Sequence, residues 1–244
     1  MSYSVILPTF NESGHIVELV KTISNIFLKK RKKFEIIVVD DSSTDGTARK
    51  IKEFIPKTKN LKIINRKKKR NLANSINDGI KKSKNDYLIW LDADFQHPPK
   101  YIENFIKKKN SKVIVCSRFL KNSRRYFQDK KNDKKSINEN QSVFFNKLCN
   151  LFLFRDFTDY TSGYICIKKS LIKKIKLKGF YGDYFLTLIC DLKLNKINIL
   201  EIPFKDSQRI SGQSKTVVNL NFRYVYTCFR YFLTLIKNIC KVHL

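Results

Sequence analysis

The chain has 244 residues, with 50 Lys and Arg against 21 Asp and Glu, for a formal net charge of +29. Hydrophobic residues make up 42% and aromatics 13%, which excludes a disordered polycation, and the 7 Gly and 5 Pro exclude collagen-like and low-complexity chains. The length suits one full-sized domain with a short appendage, and the surplus of positive charge calls for an anionic partner: nucleic acid, an anionic membrane surface or a phosphate-bearing substrate.

Residues 4–7 form a short apolar run stopped by Pro8. The chain enters this run directly, so no secretory signal is expected. Residues 11–13 can cap a helix over 14–28, with Ile16, Leu19, Val20, Ile23 and Phe27 on one face. Residues 34–39 are a continuous β-branched run, as in a strand buried on both faces. They end at Asp40-Asp41-Ser42-Ser43, and a helix is expected from Thr47 to about Phe54. Residues 61–65 predict a third strand, 72–82 a helix, and 87–91 a fourth strand ending at Asp92-Ala93-Asp94. A helix over 101–108 and a fifth strand over 112–117 follow. Alternating helices and wholly apolar strands are the pattern of a parallel sheet covered by helices, in which ligands bind beyond the carboxyl ends of the strands.

Composition changes after Arg118. Residues 121–140 are dense in Lys, Asn, Asp and Ser and read as a mobile basic loop, whereas 142–157 are strongly aromatic. A helix is expected over 181–194, a strand over 197–202 and a polar, Gly-containing segment over 208–215. In the last segment, Arg223, Arg230 and Lys237 lie seven apart, and Thr227, Thr234 and Lys241 follow each by four. On a helix these six form a narrow polar stripe, with Val225, Tyr226, Phe229, Phe232 and Ile236 among the apolar residues around it. Two readings stay open: an interfacial membrane or docking helix, and a helix packed on its own domain. No stretch approaches the roughly 18 uncharged apolar residues of a spanning helix. The 6 Cys show no C-x-x-C spacing and the 3 His are too few to complete a zinc site, so the cysteines read as small reduced hydrophobes.

Asp92-x-Asp94 at a strand end can share a divalent cation with a nucleotide diphosphate, with Gln96 as a neutral oxygen donor. The same pair could simply cap a turn. Asp40-Asp41 can accept from a base edge or ribose hydroxyls, or serve as helix caps. Neither G-x-G-x-x-G nor G-x-x-x-x-G-K-[ST] occurs, which argues against dinucleotide and P-loop folds.

Three blocks, 7–12 (Leu-Pro-Thr-Phe-Asn-Glu), 39–47 (Val-Asp-Asp-Ser-Ser-Thr-Asp-Gly-Thr) and 91–99 (Leu-Asp-Ala-Asp-Phe-Gln-His-Pro-Pro), resemble the signature blocks of family 2 glycosyltransferases. Residues 159–164 (Asp-Tyr-Thr-Ser-Gly-Tyr) and Arg209-x-x-Gly212-x-Ser214-Lys215 narrow the resemblance to the dolichol-phosphate mannosyltransferase, or polyprenyl-phosphate sugar transferase, subfamily. The resemblance implies a GT-A (Rossmann-like) α/β fold, an NDP-sugar donor (GDP-mannose favoured), Mg²⁺ or Mn²⁺, a polyprenyl phosphate acceptor and inversion at the sugar carbon. Carried over by position, Pro8, Phe10, Glu12, Val39 and Asp41 would contact the nucleoside, with Asp40 beside them. Asp92, Ala93, Asp94 and Gln96 would hold metal and diphosphate, with Asp92, Asp94 and Gln96 as the metal ligands. Arg118, Arg209 and Lys215 would bind donor and acceptor phosphates, and Ser142, four before Asn146, would lie near the acceptor. Asp94, Arg118 and Arg209 would carry the catalysis.

Three positions depart from the pattern: Lys69-Arg70-Asn71-Leu72 replaces a Gly-Leu-Gly-like turn, Asn138 replaces a basic residue, and Ile165 replaces an Arg. These departures bear on the acceptor. Asp183 would be a base only if the acceptor were a hydroxyl, and reads as structural. On this reading residues 1–118 hold the nucleotide sugar, 119–215 the acceptor, and 216–244 face a membrane or a small membrane-protein partner. The protein would then sit peripherally on a cytoplasmic membrane face. The competing class, a nucleic-acid-binding protein, lacks any recognised signature, and the lysines lie on many elements instead of one stripe.

Overall fold

The computed structural model describes residues 1–68, 70–108, 110–121, 123, 137–173, 175–207 and 222–243, with side chains of 137–141 and 222–224 left aside. Most of the basic segment 121–140, together with Arg209 and Lys215, lies outside the described residues.

Strands β1 (Ser2–Thr9), β2 (Lys33–Asp40), β3 (Leu61–Asn65), β4 (Tyr87–Trp90), β5 (Val113–Ser117), β6 (Ile165–Lys168) and β7 (Leu200–Pro203) form one sheet in the order β3-β2-β1-β4-β6-β5-β7. Every pairing is parallel except those of β6, which runs antiparallel to both β4 and β5. The sequence pattern misses β6. Its four residues follow a polar signature and carry none of the strand-helix spacing that marks the others. The reversal has a functional consequence: the chain entering β6 lies at the same sheet edge as the ends of the parallel strands.

Period-two alternation sends neighbouring residues to opposite faces. Val5, Leu7, Ile36 and Val38 pack under helices α1 (Ile16–Lys29), α2 (Thr47–Phe54) and α4 (Ile102–Lys107). Ile6, Ile37, Val39 and Trp90 pack under α3 (Leu72–Lys82), α5 (Ile137–Phe152), α7 (Asp183–Leu194) and α8 (Phe222–His243). A short helix, α6 (Lys169–Ile172), continues directly from β6. Gly79 lets α3 seat closely on β1, because a Cβ there would lie 2.5 Å from Ile6 Cγ2.

Residues 11–13 do not cap α1, which has His15 at its N-cap and no side-chain cap. Asn11 instead accepts from the Thr44 N–H at 2.9 Å, tying the first strand-end loop to the second. Four of the six cysteines, Cys116, Cys149, Cys166 and Cys190, are buried and unpaired, and burial pushes their thiols up, as expected of small core hydrophobes.

The C-terminal helix packs on its own domain and keeps apolar residues on its outer side. Part of its polar stripe faces the protein: Thr227 is buried, Arg230 and Thr234 approach Asp183 at 3.4 and 3.5 Å, and Lys241 pairs with Asp191, whereas Lys237 is exposed and the side chain of Arg223 lies outside the described residues; Asn238, beside the stripe, donates to Thr187 at 3.2 Å. Val225, Tyr226, Phe229, Phe232 and Ile236 point outward and are exposed. α5 packs beside it through Phe145, whose ring meets Phe232 at 6.0 Å, and adds exposed Phe144, Leu151 and Phe152. Among the described residues no helix is long and apolar enough to cross a membrane.

Candidate active site

The register aligns the strand ends. Thr9 pairs with Asp40, and Asp40 with Asn65, so the loops after β1, β2 and β3 open at one edge. Among the described residues five non-glycine residues take positive φ, and three of them stand in the signature blocks: Asn11 (56°), Ser42 (61°) and Phe95 (63°). Such strain concentrates where surrounding contacts over-determine a functional loop.

Asp40 turns inward. Its oxygens accept from Thr9 Oγ1 (3.1 Å), Ser43 Oγ (2.6 Å) and the Ser43 N–H (3.0 Å). Asp41 pairs with the buried Arg66 and accepts from the Asn71 N–H (2.7 Å) and Ser75 Oγ (3.1 Å). Arg66 also donates to Asp78 at 2.9 Å. The two aspartates thus brace the rim of the edge, with Val39 buried behind them and Pro8 at the end of β1. Glu12 meets His15 Nε2 at 2.9 Å and accepts through its backbone carbonyl at the start of α1. Asp45 stands one residue before Gly46, the N-cap of α2; burial pulls its carboxyl up, but hydrogen bonds from Thr47 and Ser13 outweigh it and hold it at about 2.

Two residues on this side escape sequence reasoning. Arg66 gave its only signal in standing directly after a strand. Arg70 stacks its guanidinium 4.1 Å from the centre of the Phe10 ring. The departure from a Gly-rich turn is accommodated: Asn71 has an extended backbone (φ −163°), open to any residue, and its side chain caps α3 by accepting from the Asn74 N–H at 2.8 Å.

After β4, Asp92 is exposed, while Ala93 and Asp94 are buried. Asp94 accepts from the Gln96 N–H at 3.0 Å, a bond that shapes the loop. His97 lies beneath it. Its Nδ1 accepts from the Asp92 N–H at 3.0 Å, and its ring stacks on Tyr164 at 5.1 Å. Burial lowers its pKa to about 4, so it is a neutral brace at physiological pH. Among the described residues no three His, Cys, Asp or Glu side chains converge as a self-sufficient metal site. Two carboxylates and an amide oxygen fit Mg²⁺ or Mn²⁺ only when a diphosphate completes the shell.

Arg118 follows β5. Its Nε and Nη2 each donate to Asp159 at 2.8 Å, its backbone N–H donates to the same carboxylate at 3.0 Å, and Nη2 also reaches Thr161 Oγ1 at 2.8 Å. Burial disfavours the charge, but the Asp159 carboxylate overrides it and raises the pKa. Thr161 Oγ1 accepts from Asn146 Nδ2 at 2.9 Å and lies 3.4 Å from Ser142 Oγ. The structure therefore gathers Arg118, just after β5, with Ser142 and Asn146 of α5 around the 159–161 loop that leads into β6.

These loops occupy the edge expected for a nucleotide-sugar enzyme. The model of Glycosyl transferase family 2 matches residues 4–176. The chain belongs to this family. Curated relatives include a dolichol-phosphate mannosyltransferase of Pyrococcus furiosus, 29% identical over 232 residues, which cover 94% of this chain and 63% of that protein. One from Saccharomyces cerevisiae is 25% identical, over 88% of this chain and 81% of its own. The chain thus spans just under two thirds of the archaeal relative's length.

Solved structures share the fold. Glucosyl-3-phosphoglycerate synthase of Mycobacterium tuberculosis, in complex with Mn²⁺, UDP and phosphoglyceric acid, superposes with a TM-score of 0.68 at 14% identity, covering 98% of this chain and 78% of that one. A mannosyltransferase of Pyrobaculum calidifontis with GDP-Man and Mn²⁺ gives 0.63 at 17%, covering 96% and 64%. The family 2 chain accordingly has the GT-A α/β architecture, mostly parallel and flanked by helices on both faces.

Proposed function

We propose that the chain is an inverting glycosyltransferase that moves mannose from GDP-mannose to a polyprenyl phosphate, dolichyl or undecaprenyl, at the cytoplasmic face of a membrane. The observation that carries this reading is the Arg118-Asp159-Thr161 cluster, which joins Ser142 and Asn146 at the same sheet edge as Asp92 and Asp94. The names of the curated relatives support the sugar and the lipid.

On this reading residues 1–118 hold the donor. Pro8, Phe10, Glu12, Val39 and Asp41 form the nucleoside side, with Arg70 stacked on Phe10 and Asp40 bracing the loop. Asp92 and Asp94, with Gln96 and Ala93, hold the diphosphate end together with Mg²⁺ or Mn²⁺. When bound, the metal neutralises charge on the leaving diphosphate. Residues 119–215 hold the acceptor, with Arg209 and Lys215 assigned to the phosphates alongside Arg118 and Ser142.

A phosphate monoester has its second pKa near ~6, so it is already a dianionic nucleophile at neutral pH. Its oxygen attacks the anomeric carbon, the bond to the diphosphate oxygen breaks, and the nucleotide leaves with the electron pair. No proton has to move. Asp183 fits this economy, since its carboxylate is spent on the N–H groups of Phe180 and Tyr181 and on α8. Residues 216–244 form the membrane-facing part: the outward apolar residues of α8 and α5 suit shallow burial in a lipid surface, and the net charge of +29 suits anionic headgroups.

Transfer of label from radiolabelled GDP-mannose into the organic phase tests the reading, with and without a short polyprenyl phosphate and Mn²⁺. Product should require both, and Asp94→Ala should reduce turnover by about 10²–10³ or more. Donor binding without lipid labelling would refute the phosphate acceptor.

A further inference from the structure

Tyr231 follows Arg230 on α8 and turns into the domain. Its ring meets Phe145 edge-on, with centroids 5.3 Å apart. Phe145 stands beside Asn146, a member of the Arg118 cluster. At its other end, the Tyr231 hydroxyl rests against the backbone of Gly182, where any Cβ would collide with it. Gly182 has an ordinary φ of −73°, so glycine is needed there for space and not for backbone conformation. Two residues on, the Tyr184 hydroxyl accepts from Trp90 Nε1 at 3.0 Å, which fixes the start of α7 against the end of β4, two residues before Asp92. Tyr231 therefore sits between α5, which carries Ser142 and Asn146, and the turn into α7, whose Tyr184 is tied to the strand that leads to the Asp-x-Asp loop.

Burial raises the pKa of this phenol, which is protonated at neutral pH in any case, and Asp183, Arg118 and Asp92 act on it electrostatically. Among the described residues it has no hydrogen-bond partner, although the neighbouring Tyr184 hydroxyl has one. A protonated phenol at this position is a neutral donor close enough to Arg118 and Asp92 for their charges to act on it.

We propose that the Tyr231 hydroxyl completes the acceptor side of the site by donating a hydrogen bond to a phosphate oxygen of the acceptor. The inference rests on the lipid-phosphate reading above and adds a residue to it. The ring's seat on Phe145 assigns the contact to the acceptor and not to the donor diphosphate. It also gives α8 two roles, since the helix whose outer face is apolar supplies a polar contact on its inner face. The site is then complete only while α8 is seated on α7.

Tyr231→Phe removes the hydroxyl and keeps the ring. Calorimetric binding of a short prenyl phosphate, and separately of GDP with Mn²⁺, should be measured on the full chain and on this variant, together with the melting temperature. A neutral donor to a charged acceptor predicts about tenfold to a hundredfold weaker prenyl phosphate binding, with GDP binding and melting unchanged. Equal prenyl phosphate affinity in both proteins would overturn the proposal, as would a loss confined to GDP. Failure of the unsubstituted protein to bind prenyl phosphate while it binds GDP would overturn the lipid-phosphate reading itself, and the role of Tyr231 with it.

Discussion

Asp183 faces Arg230 across the seam between α7 and α8, with 3.4 Å between carboxylate oxygen and guanidinium nitrogen. The other carboxylate oxygen accepts from the Phe180 and Tyr181 N–H groups at 3.0 and 2.9 Å. One buried side chain thus shapes the turn into α7 and anchors the C-terminal helix.

Asp183→Asn keeps the acceptor oxygen but discharges the partner of Arg230. Urea denaturation should show a loss of about 1–2 kcal/mol, while turnover with a prenyl phosphate stays within about threefold. A collapse of turnover in a folded variant would instead make Asp183 a base and point to a hydroxyl acceptor.

Asp159 is fully buried and accepts three bonds from Arg118. Asp159→Ala leaves a buried guanidinium without its counter-charge, a change that costs about 3–5 kcal/mol. Calorimetry should show a large fall in melting temperature. The double variant Asp159→Ala with Arg118→Met, which removes both charges, should melt higher than Asp159→Ala alone while remaining inactive.

Glu201 supplies a pH test. Its oxygens accept from Thr158 Oγ1 (2.8 Å) and the Thr158 N–H (2.9 Å), yet burial outweighs these bonds and raises its pKa to about 7. A raised pKa means that the folded state holds the proton more tightly than the unfolded chain. Stability from this group is therefore full below about pH 4.5 and is lost as pH rises to about 7, by roughly 3 kcal/mol at most. Glu201→Gln should flatten that part of the stability profile in urea titrations between pH 4.5 and 8, and an unchanged slope would count against the assignment.

The exposed α8 residues predict lipid binding with two components. The protein should float with vesicles containing anionic phospholipid and less so with neutral ones, and added salt should weaken the interaction. Phe229→Glu with Ile236→Glu should abolish flotation without lowering the melting temperature, because both side chains already stand in solvent. Retention of flotation by the double variant would move the contact to another face.

Much of the donor side was legible along the chain. The apolar runs at β1, β2 and β4 are local and periodic, and each ends in a polar block, so the strand-end rule alone placed Asp40, Asp41, Asp92 and Asp94 at one edge. The helices over Leu72–Lys82 and Asp183–Leu194 likewise announce themselves by local pattern. β6 did not, because four residues between a polar loop and a short helix are too few for a period, and their reversed direction is set by partners on both sides.

The sequence by itself determined the strand-helix alternation, the three signature loops and the polar stripe of the last helix, since each is a matter of residue type and spacing within one segment. Only the tertiary structure decided where those parts point. It turned Arg230 and Thr234 of that stripe inward onto Asp183 and left Val225, Tyr226, Phe229, Phe232 and Ile236 outside, because buried polar groups find partners on α7 and, among the described residues, no second layer covers the apolar side. It also brought Arg118 to Thr161, 43 positions away, and Tyr231 to Gly182, contacts that depend on sheet order and close approach and leave no trace in local periodicity.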